Sequence, residues 1–197
     1  MKRTLLCCLL SMVLSGVVMG QSAVIGMSPD LEPWNVWNTN IDPGGEPFDV
    51  YLVVMADGLY SVGGYELELQ FSSPSVFLLS VDGPNGWTNF GSNMNHLCGY
   101  TTPLPLGADG EAVLSTLTLL YTSPEDATIS VGPSNPSSVD DAGPAVVNGI
   151  DLDQVIACEV TYAYGGYGPV LTLNGEGIYS PFAVESRSWS DVKRIFD

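Results

Sequence analysis

The stretch that decides the fold is residues 65–71, which reads YELELQF. Apolar and polar side chains alternate at every position, and successive side chains of a β-strand point to opposite faces. The pattern therefore predicts a strand with one face in a core and the other in solvent. Residues 48–56, just before it, form a second β-rich apolar run. Between the two runs, Asp57-Gly58 and Gly63-Gly64 supply residues that tolerate the backbone of a short connection.

Seven further segments are short, rich in β-formers and separated by Pro, Gly, Asn and Asp, so we predict that they are strands too. They are residues 76–81, 97–100, 112–121, 128–131, 145–147, 155–162 and 170–173. No amphipathic helical run of useful length lies between them, which disfavours a parallel sheet with crossover helices. The sequence predicts an all-β fold, an antiparallel two-sheet sandwich of jelly-roll type with about nine strands.

Residues 1–20 have the parts of a secretory signal peptide. Lys2 and Arg3 form a basic start, an apolar run spans 5–19, and a small residue, Gly20, ends the segment. The alternative is a retained membrane anchor, but the run is short for a span of about twenty residues and is interrupted by serines and a glycine. We expect cleavage, no membrane span afterwards, and a secreted or extracytoplasmic protein, whether periplasmic, surface-bound or released.

The remaining chain divides into three parts. Residues 21–47 are rich in Pro, Asn and Gly and are expected to be an irregular lead-in, 48–184 form the sandwich, and 185–197 form an amphipathic tail. The tail has apolar residues at helical spacing, which predicts a short C-terminal helix: Trp189, Val192, Ile195 and Phe196. It is either an interaction or sorting tail, or a helix that packs on the sandwich with Lys193 and Arg194 near acidic surface.

Charge restricts the partners. Loss of residues 1–20 leaves three basic against 22 acidic residues, a formal charge of −19. Binding to nucleic acid and to anionic lipid depends largely on Lys and Arg, so we expect neither as a partner. A surface of this sign favours solubility, cations or a basic partner.

Two cysteines remain after cleavage, Cys98 and Cys158. An even pair in an oxidising compartment most simply forms one disulfide, which is the prediction. The alternative is a metal ligand or a nucleophilic thiol, which a chain with one histidine and no CxxC motif disfavours.

The sequence does not resemble that of an enzyme. His96 is the sole histidine and no GxSxG context occurs, so a structural histidine is the favoured interpretation. Neighbouring carboxylates such as Asp151 and Asp153 suit glycoside hydrolysis only at a fixed separation across a sugar, which a sequence does not give. We therefore expect no catalytic residues.

The loop after the predicted strand at 145–147 carries three oxygen-bearing side chains, Asn148, Asp151 and Asp153. Hard cations prefer such ligands, so a calcium site is one hypothesis, although the spacing is not that of an EF-hand. The alternative is a solvated acidic loop.

Three tyrosines, Tyr162, Tyr164 and Tyr167, alternate with glycines. Their rings could stack on sugar faces or anchor a protein interface, so they are the candidate ligand-binding residues. The alternative is a hairpin whose tyrosines cover the sheet and whose glycines form the turn.

Residues 50–54, 58–69 and 76–81, in this order, resemble the opening strands of cohesin-like domains, and 112–119 is similar to the strand that follows a small-residue loop in that family. The segment Ser72-Ser73-Pro74 departs from the aromatic and aspartate that cohesins commonly carry there, and the cysteine pair is not a usual cohesin feature. The resemblance implies a jelly-roll sandwich related to carbohydrate-binding modules, without catalysis, that binds a protein or a glycan.

Together these features predict a secreted, non-catalytic module for protein–protein adhesion or scaffolding through its cohesin-like sandwich. The alternative is a carbohydrate-binding module assisted by calcium. The sequence identifies neither the partner protein nor the glycan that would be bound.

Overall fold

Twelve strands and no helix form the part of the chain that the structure, a computed structural model, describes, namely residues 21–31, 40–139, 143–160 and 168–176. The strands are β1 Ser22–Ser28, β2 Asn40–Ile41, β3 Pro47–Asp57, β4 Ser61–Phe71, β5 Val76–Asp82, β6 Thr88–Asn89, β7 Asn95–Pro105, β8 Glu111–Tyr121, β9 Ala127–Gly132, β10 Ala145–Asn148, β11 Val155–Val160 and β12 Gly168–Leu173. No helix long and apolar enough to cross a membrane occurs in those ranges. The predicted C-terminal helix at 185–197 lies outside them.

The strands form two sheets that share one strand. Sheet A has the order β1-β3-β8-β5. Sheet B has the order β2-β12-β9-β4-β7-β6. Strands β9 and β10 pair with different parts of the same edge of β4. The start of β11 pairs with β10 in sheet B, and its end pairs with β1 in sheet A. The β1–β11 and β2–β12 pairs are parallel and the others are antiparallel.

The alternating stretch that predicts the fold lies in β4. Tyr65, Leu67 and Leu69 are buried, whereas Gln70 is exposed, as the pattern predicts. Glu66 is the exception, because Ser138 covers it and donates to its carboxylate from both the backbone nitrogen (2.7 Å) and the hydroxyl (2.8 Å). Each of the nine predicted strands coincides with an observed strand where the chain is described.

One core lies between the sheets. Leu52, Val54 and Leu117 point into it from sheet A, and Leu67 and Ile129 point into it from sheet B, all fully buried. Burying an aliphatic side chain of this kind contributes about 1.5–3 kcal/mol. The all-β sandwich is therefore confirmed.

A polar network crosses this core. The Tyr65 hydroxyl lies 3.0 Å from Ser115 Oγ on sheet A and 3.3 Å from His96 Nδ1, and it accepts a hydrogen bond from Trp87 Nε1 at 3.3 Å. His96 Nε2 lies 2.9 Å from the Asn93 carbonyl, which can only accept, so Nε2 carries the proton and Nδ1 is the acceptor. Burial lowers the pKa of His96, so the ring is neutral. The network joins the sheets at a fixed point.

The predicted irregular lead-in, 21–47, is wrong for its first part. Ser22–Ser28 forms β1, which pairs with β3 on one side and with β11 on the other. Ala23, Ile25 and Met27 alternate into the core, at most 2% exposed. This alternation is visible in the sequence but is short and directly follows the apolar run of residues 5–19.

The connection between β3 and β4 is shorter than predicted. Gly58, with φ of +74°, makes the turn as expected. Gly63 and Gly64 do not take part in it, because both lie inside β4. A Cβ on Gly64 would collide with the Cys98 carbonyl oxygen, so the close approach of β7, rather than a turn, requires glycine there.

Candidate functional site

Two large apolar side chains project from the outer side of sheet B. Phe90 is 77% exposed and Leu152 is 64% exposed. A Cβ on Gly99 would lie 3.7 Å from the Phe90 ring, and a Cβ on Gly63 would lie 2.6 Å from Leu152 Cδ2. Gly99 on β7 pairs with Gly64 on β4, so Phe90 and Leu152 stand over adjacent strands. We call these two side chains and their glycine floor the sheet B patch.

Asn89 fixes the position of Phe90. Its side-chain oxygen accepts hydrogen bonds from the backbone nitrogens of Gly91 (2.9 Å) and Leu97 (3.0 Å). The Phe90 nitrogen donates to the Leu97 carbonyl at 2.9 Å. Phe90 is therefore carried by a backbone that hydrogen bonds hold against β7. This lowers the conformational entropy lost when a partner covers the ring.

Leu152 is held by a tight connection between β10 and β11. Asn148 Nδ2 donates to Gln154 Oε1 at 2.6 Å, and the Asn148 nitrogen donates to the Gln154 carbonyl at 2.9 Å. The Gly149 nitrogen donates to the Ser61 carbonyl at 2.9 Å, which ties the loop to β4. Leu152 is thus presented on an ordered loop.

The residues of the calcium hypothesis, Asn148, Asp151 and Asp153, share this loop. Asn148 Oδ1 accepts from the Ile150 nitrogen at 2.9 Å, and Asp151 Oδ1 accepts from the Asp153 nitrogen at 3.3 Å. These oxygens shape the turn, as Asn and Asp commonly do. In the described ranges no three His, Cys, Asp or Glu side chains are grouped to hold a metal ion. The calcium site stays a prediction, and the two aspartates form an acidic rim beside Leu152.

The structure contradicts the predicted disulfide, because Cys98 and Cys158 are buried free thiols. Cys98 lies on β7 and Cys158 on β11, with β4 and β10 between them. Three strand spacings amount to about 14 Å. A disulfide needs Cα atoms within about 7 Å, so this register does not allow the bond.

The sole histidine and the two cysteines of the described residues are buried. His96 is 0% exposed and lies in the core network. Burial raises the pKa of Cys98 to about 11, and it also raises the pKa of Cys158. A thiol with a raised pKa is a poor nucleophile, because the thiolate is the reactive form.

The predicted ligand-binding tyrosines, Tyr162, Tyr164 and Tyr167, lie outside the described residues, so their role stays a prediction. The sheet B patch was not predicted. Phe90 lies between Asn89 and Gly91, and Leu152 lies between two aspartates, so neither belongs to a periodic run. Large apolar residues placed among polar residues in a loop are the signal that could have found them.

No protein-family model matches the sequence, and no curated protein does. Among solved structures, the chain is similar to cohesin modules. The sixth cohesin of Acetivibrio cellulolyticus scaffoldin B, solved in complex with a Cel5 dockerin, is 10% identical, with 79% of this chain and 99% of that chain covered and a TM-score of 0.48. The cohesin module of a Clostridium perfringens family 33 glycoside hydrolase is 11% identical, with coverage of 80% and 100% and a TM-score of 0.48. A type II cohesin domain of the Acetivibrio cellulolyticus cellulosome is 13% identical, with coverage of 78% and 95% and the same TM-score.

Proposed function

We propose that this chain is a non-catalytic module that binds a partner protein through the sheet B patch, with Phe90 and Leu152 as anchors. The observation that carries the proposal is the high exposure of both side chains on a backbone that hydrogen bonds hold in place. Interfaces draw most of their affinity from a few such large side chains at their centre. Large exposed apolar side chains held over adjacent strands of one sheet are typical of an interaction site.

The acidic side chains at the rim of the patch indicate what kind of partner it would bind. Asp151 and Asp153 are exposed beside Leu152. Charged residues around an apolar centre act mainly on the rate and specificity of association. The proposed partner is therefore a protein segment with an apolar pocket and basic side chains around it.

The absence of catalysis is part of the proposal. It is supported by the complete burial of His96 and by the raised pKa of the Cys98 thiol. Neither group can reach a substrate on the surface without unfolding of the core. Export, which the proposal includes, is supported by the pattern of residues 1–20.

One of the similar cohesins was solved with a dockerin, so dockerins are the first probes to test. The assay is the dissociation constant for a dockerin panel, measured with the unaltered chain, Phe90→Ser and Leu152→Ser. We expect each substitution to weaken binding about 10–100-fold, as for a central anchor. Tyr60→Ser is the matched control, because Tyr60 is 79% exposed and belongs to a different cleft.

A glycan array with calcium and with a chelator tests the carbohydrate alternative. Binding to one sugar class that survives Phe90→Ser would contradict the proposal. Tight dockerin binding that neither substitution weakens would contradict the site, while leaving a protein partner.

A further inference from the structure

The outer side of sheet A carries a second apolar surface. Phe77 and Leu79 on β5 are 47% and 50% exposed, and Leu120, which pairs with Phe77, is half-buried beside them. Tyr51 and Val113 lie further along the same side, beyond Thr118 and Thr116, and together with Leu31 they line a groove of about 400 Å³. We call these five side chains the sheet A strip. It lies on the opposite side of the sandwich from the sheet B patch.

Carboxylates border the sheet A strip. Asp82 lines the groove, Asp49 is exposed and accepts a hydrogen bond from Thr118 at 2.7 Å, and Glu111 ends the row on β8. No residue from 21 to 186 is lysine or arginine. The strip therefore has an acidic border that no basic side chain of residues 21–186 can neutralise.

Every basic residue beyond the leader lies in residues 185–197, as Arg187, Lys193 and Arg194. The same segment has Trp189 and Phe196 among its apolar residues at helical spacing, which predicts one apolar side. A short amphipathic helix is marginal in water unless its apolar side packs on something. The basic residues of this segment match the acidic border of the sheet A strip, and its apolar residues match the apolar side chains of the strip.

The described part of the chain ends at the end of the sandwich where β8 ends. Thr172 Oγ1 donates to the Glu176 carbonyl at 2.9 Å, and Asn174 Nδ2 donates to the Ser123 carbonyl at 3.0 Å. Asn174 therefore lies beside Ser123, two residues beyond the end of β8, and Glu176 lies near Thr172 of β12. The twelve residues 177–188 can span up to about 40 Å. From Leu120 to Val113 along β8 is about 24 Å, so the tail can reach the whole strip.

We propose that residues 185–197 dock on the sheet A strip, with Trp189 and Phe196 over its apolar side chains and Lys193 beside the carboxylates of Asp49, Asp82 or Glu111. A second copy of the chain is a poorer occupant, because two strips of the same charge repel each other. The proposal does not depend on the sheet B patch or on its partner.

Zero-length carbodiimide cross-linking tests this contact in the full chain, because Lys193 is the only lysine after Lys2. Carbodiimide joins an amine to a carboxylate only when the two groups are in contact. We expect intramolecular cross-links from Lys193 to Asp49, Asp82 or Glu111, mapped by mass spectrometry. Their yield should fall about threefold or more in 1 M salt, where the Debye length is about 3 Å.

Matched variants separate the two faces. Leu79→Ser should reduce the cross-link yield about threefold or more by weakening the apolar contact, whereas Leu152→Ser should leave it unchanged. Thermal melting checks that both variants fold, and both positions are exposed enough to be replaced without loss of core. Cross-links to Asp151 or Asp153, cross-links between chains, or no cross-link at low salt would each overturn the proposal.

Discussion

Replacing Tyr65 by phenylalanine removes a hydroxyl that serves three neighbours, Trp87, Ser115 and His96. One buried hydrogen bond contributes about 1 kcal/mol net, and a buried polar group left unpaired costs about 1–3 kcal/mol. Ser115 and His96 are fully buried, so water cannot replace the lost partner. We expect the free energy of unfolding to fall by about 3 kcal/mol.

Urea denaturation followed by circular dichroism measures this loss. With a slope of about 2 kcal/mol per molar urea, the midpoint should fall by about 1.5 M. Tyr100→Phe is the control, because Tyr100 is also buried but its hydroxyl donates a single hydrogen bond, 2.7 Å long, to the Leu114 carbonyl. That change should cost about 1 kcal/mol.

Combining Tyr65→Phe with Ser115→Ala completes the test. Once its partner is gone, the Ser115 hydroxyl is a buried group without that hydrogen bond, so its removal should cost little or should restore stability. Equal losses for Tyr65→Phe and Tyr100→Phe, or full additivity with Ser115→Ala, would refute the idea that the network acts as a unit.

Two further predictions concern titration and redox state. Because burial lowers the pKa of His96, the unfolded chain binds a proton near pH 6.5 that the folded chain does not. The free energy of unfolding should therefore fall as the pH drops from about 6.5 towards the lower pKa of the folded state. Urea titrations at several pH values measure this dependence, and the His96→Gln variant should show less of it. A thiol reagent should label neither Cys98 nor Cys158 in the native protein, because both are buried. In denaturant without reductant it should label both. If neither cysteine is labelled in denaturant, the two form a disulfide.

Strands with local patterns were predictable. The alternation in residues 65–71 and the apolar run before it predict two strands that are consecutive in the chain, from short-range information alone. Strand β1 has the same alternation in Ala23, Ile25 and Met27 but was missed, because its seven residues directly follow the apolar run of residues 5–19. The two parallel pairings depend on contacts between distant parts of the chain and leave no local pattern.

The candidate site was less predictable, for a related reason. The prediction of a Cys98–Cys158 disulfide used only the count of cysteines, whereas the bond is prevented by the order of β7, β4, β10 and β11 across a sheet. Phe90 and Leu152 stand over adjacent strands because β7 pairs with β4, with Gly99 opposite Gly64. Lateral neighbours of this kind are set by tertiary register, which a single sequence does not reveal.

The parallel pairing of β1 with β11 governs the order in which the molecule can assemble. Ala23 pairs with Cys158, which lies 135 positions later. Closing so long a loop is entropically costly, and folds dominated by such distant pairings form slowly. β1 can pair with β3 early, but its other edge stays open until β11 has been synthesised. During synthesis, the first strand to emerge is therefore among the last to be completed.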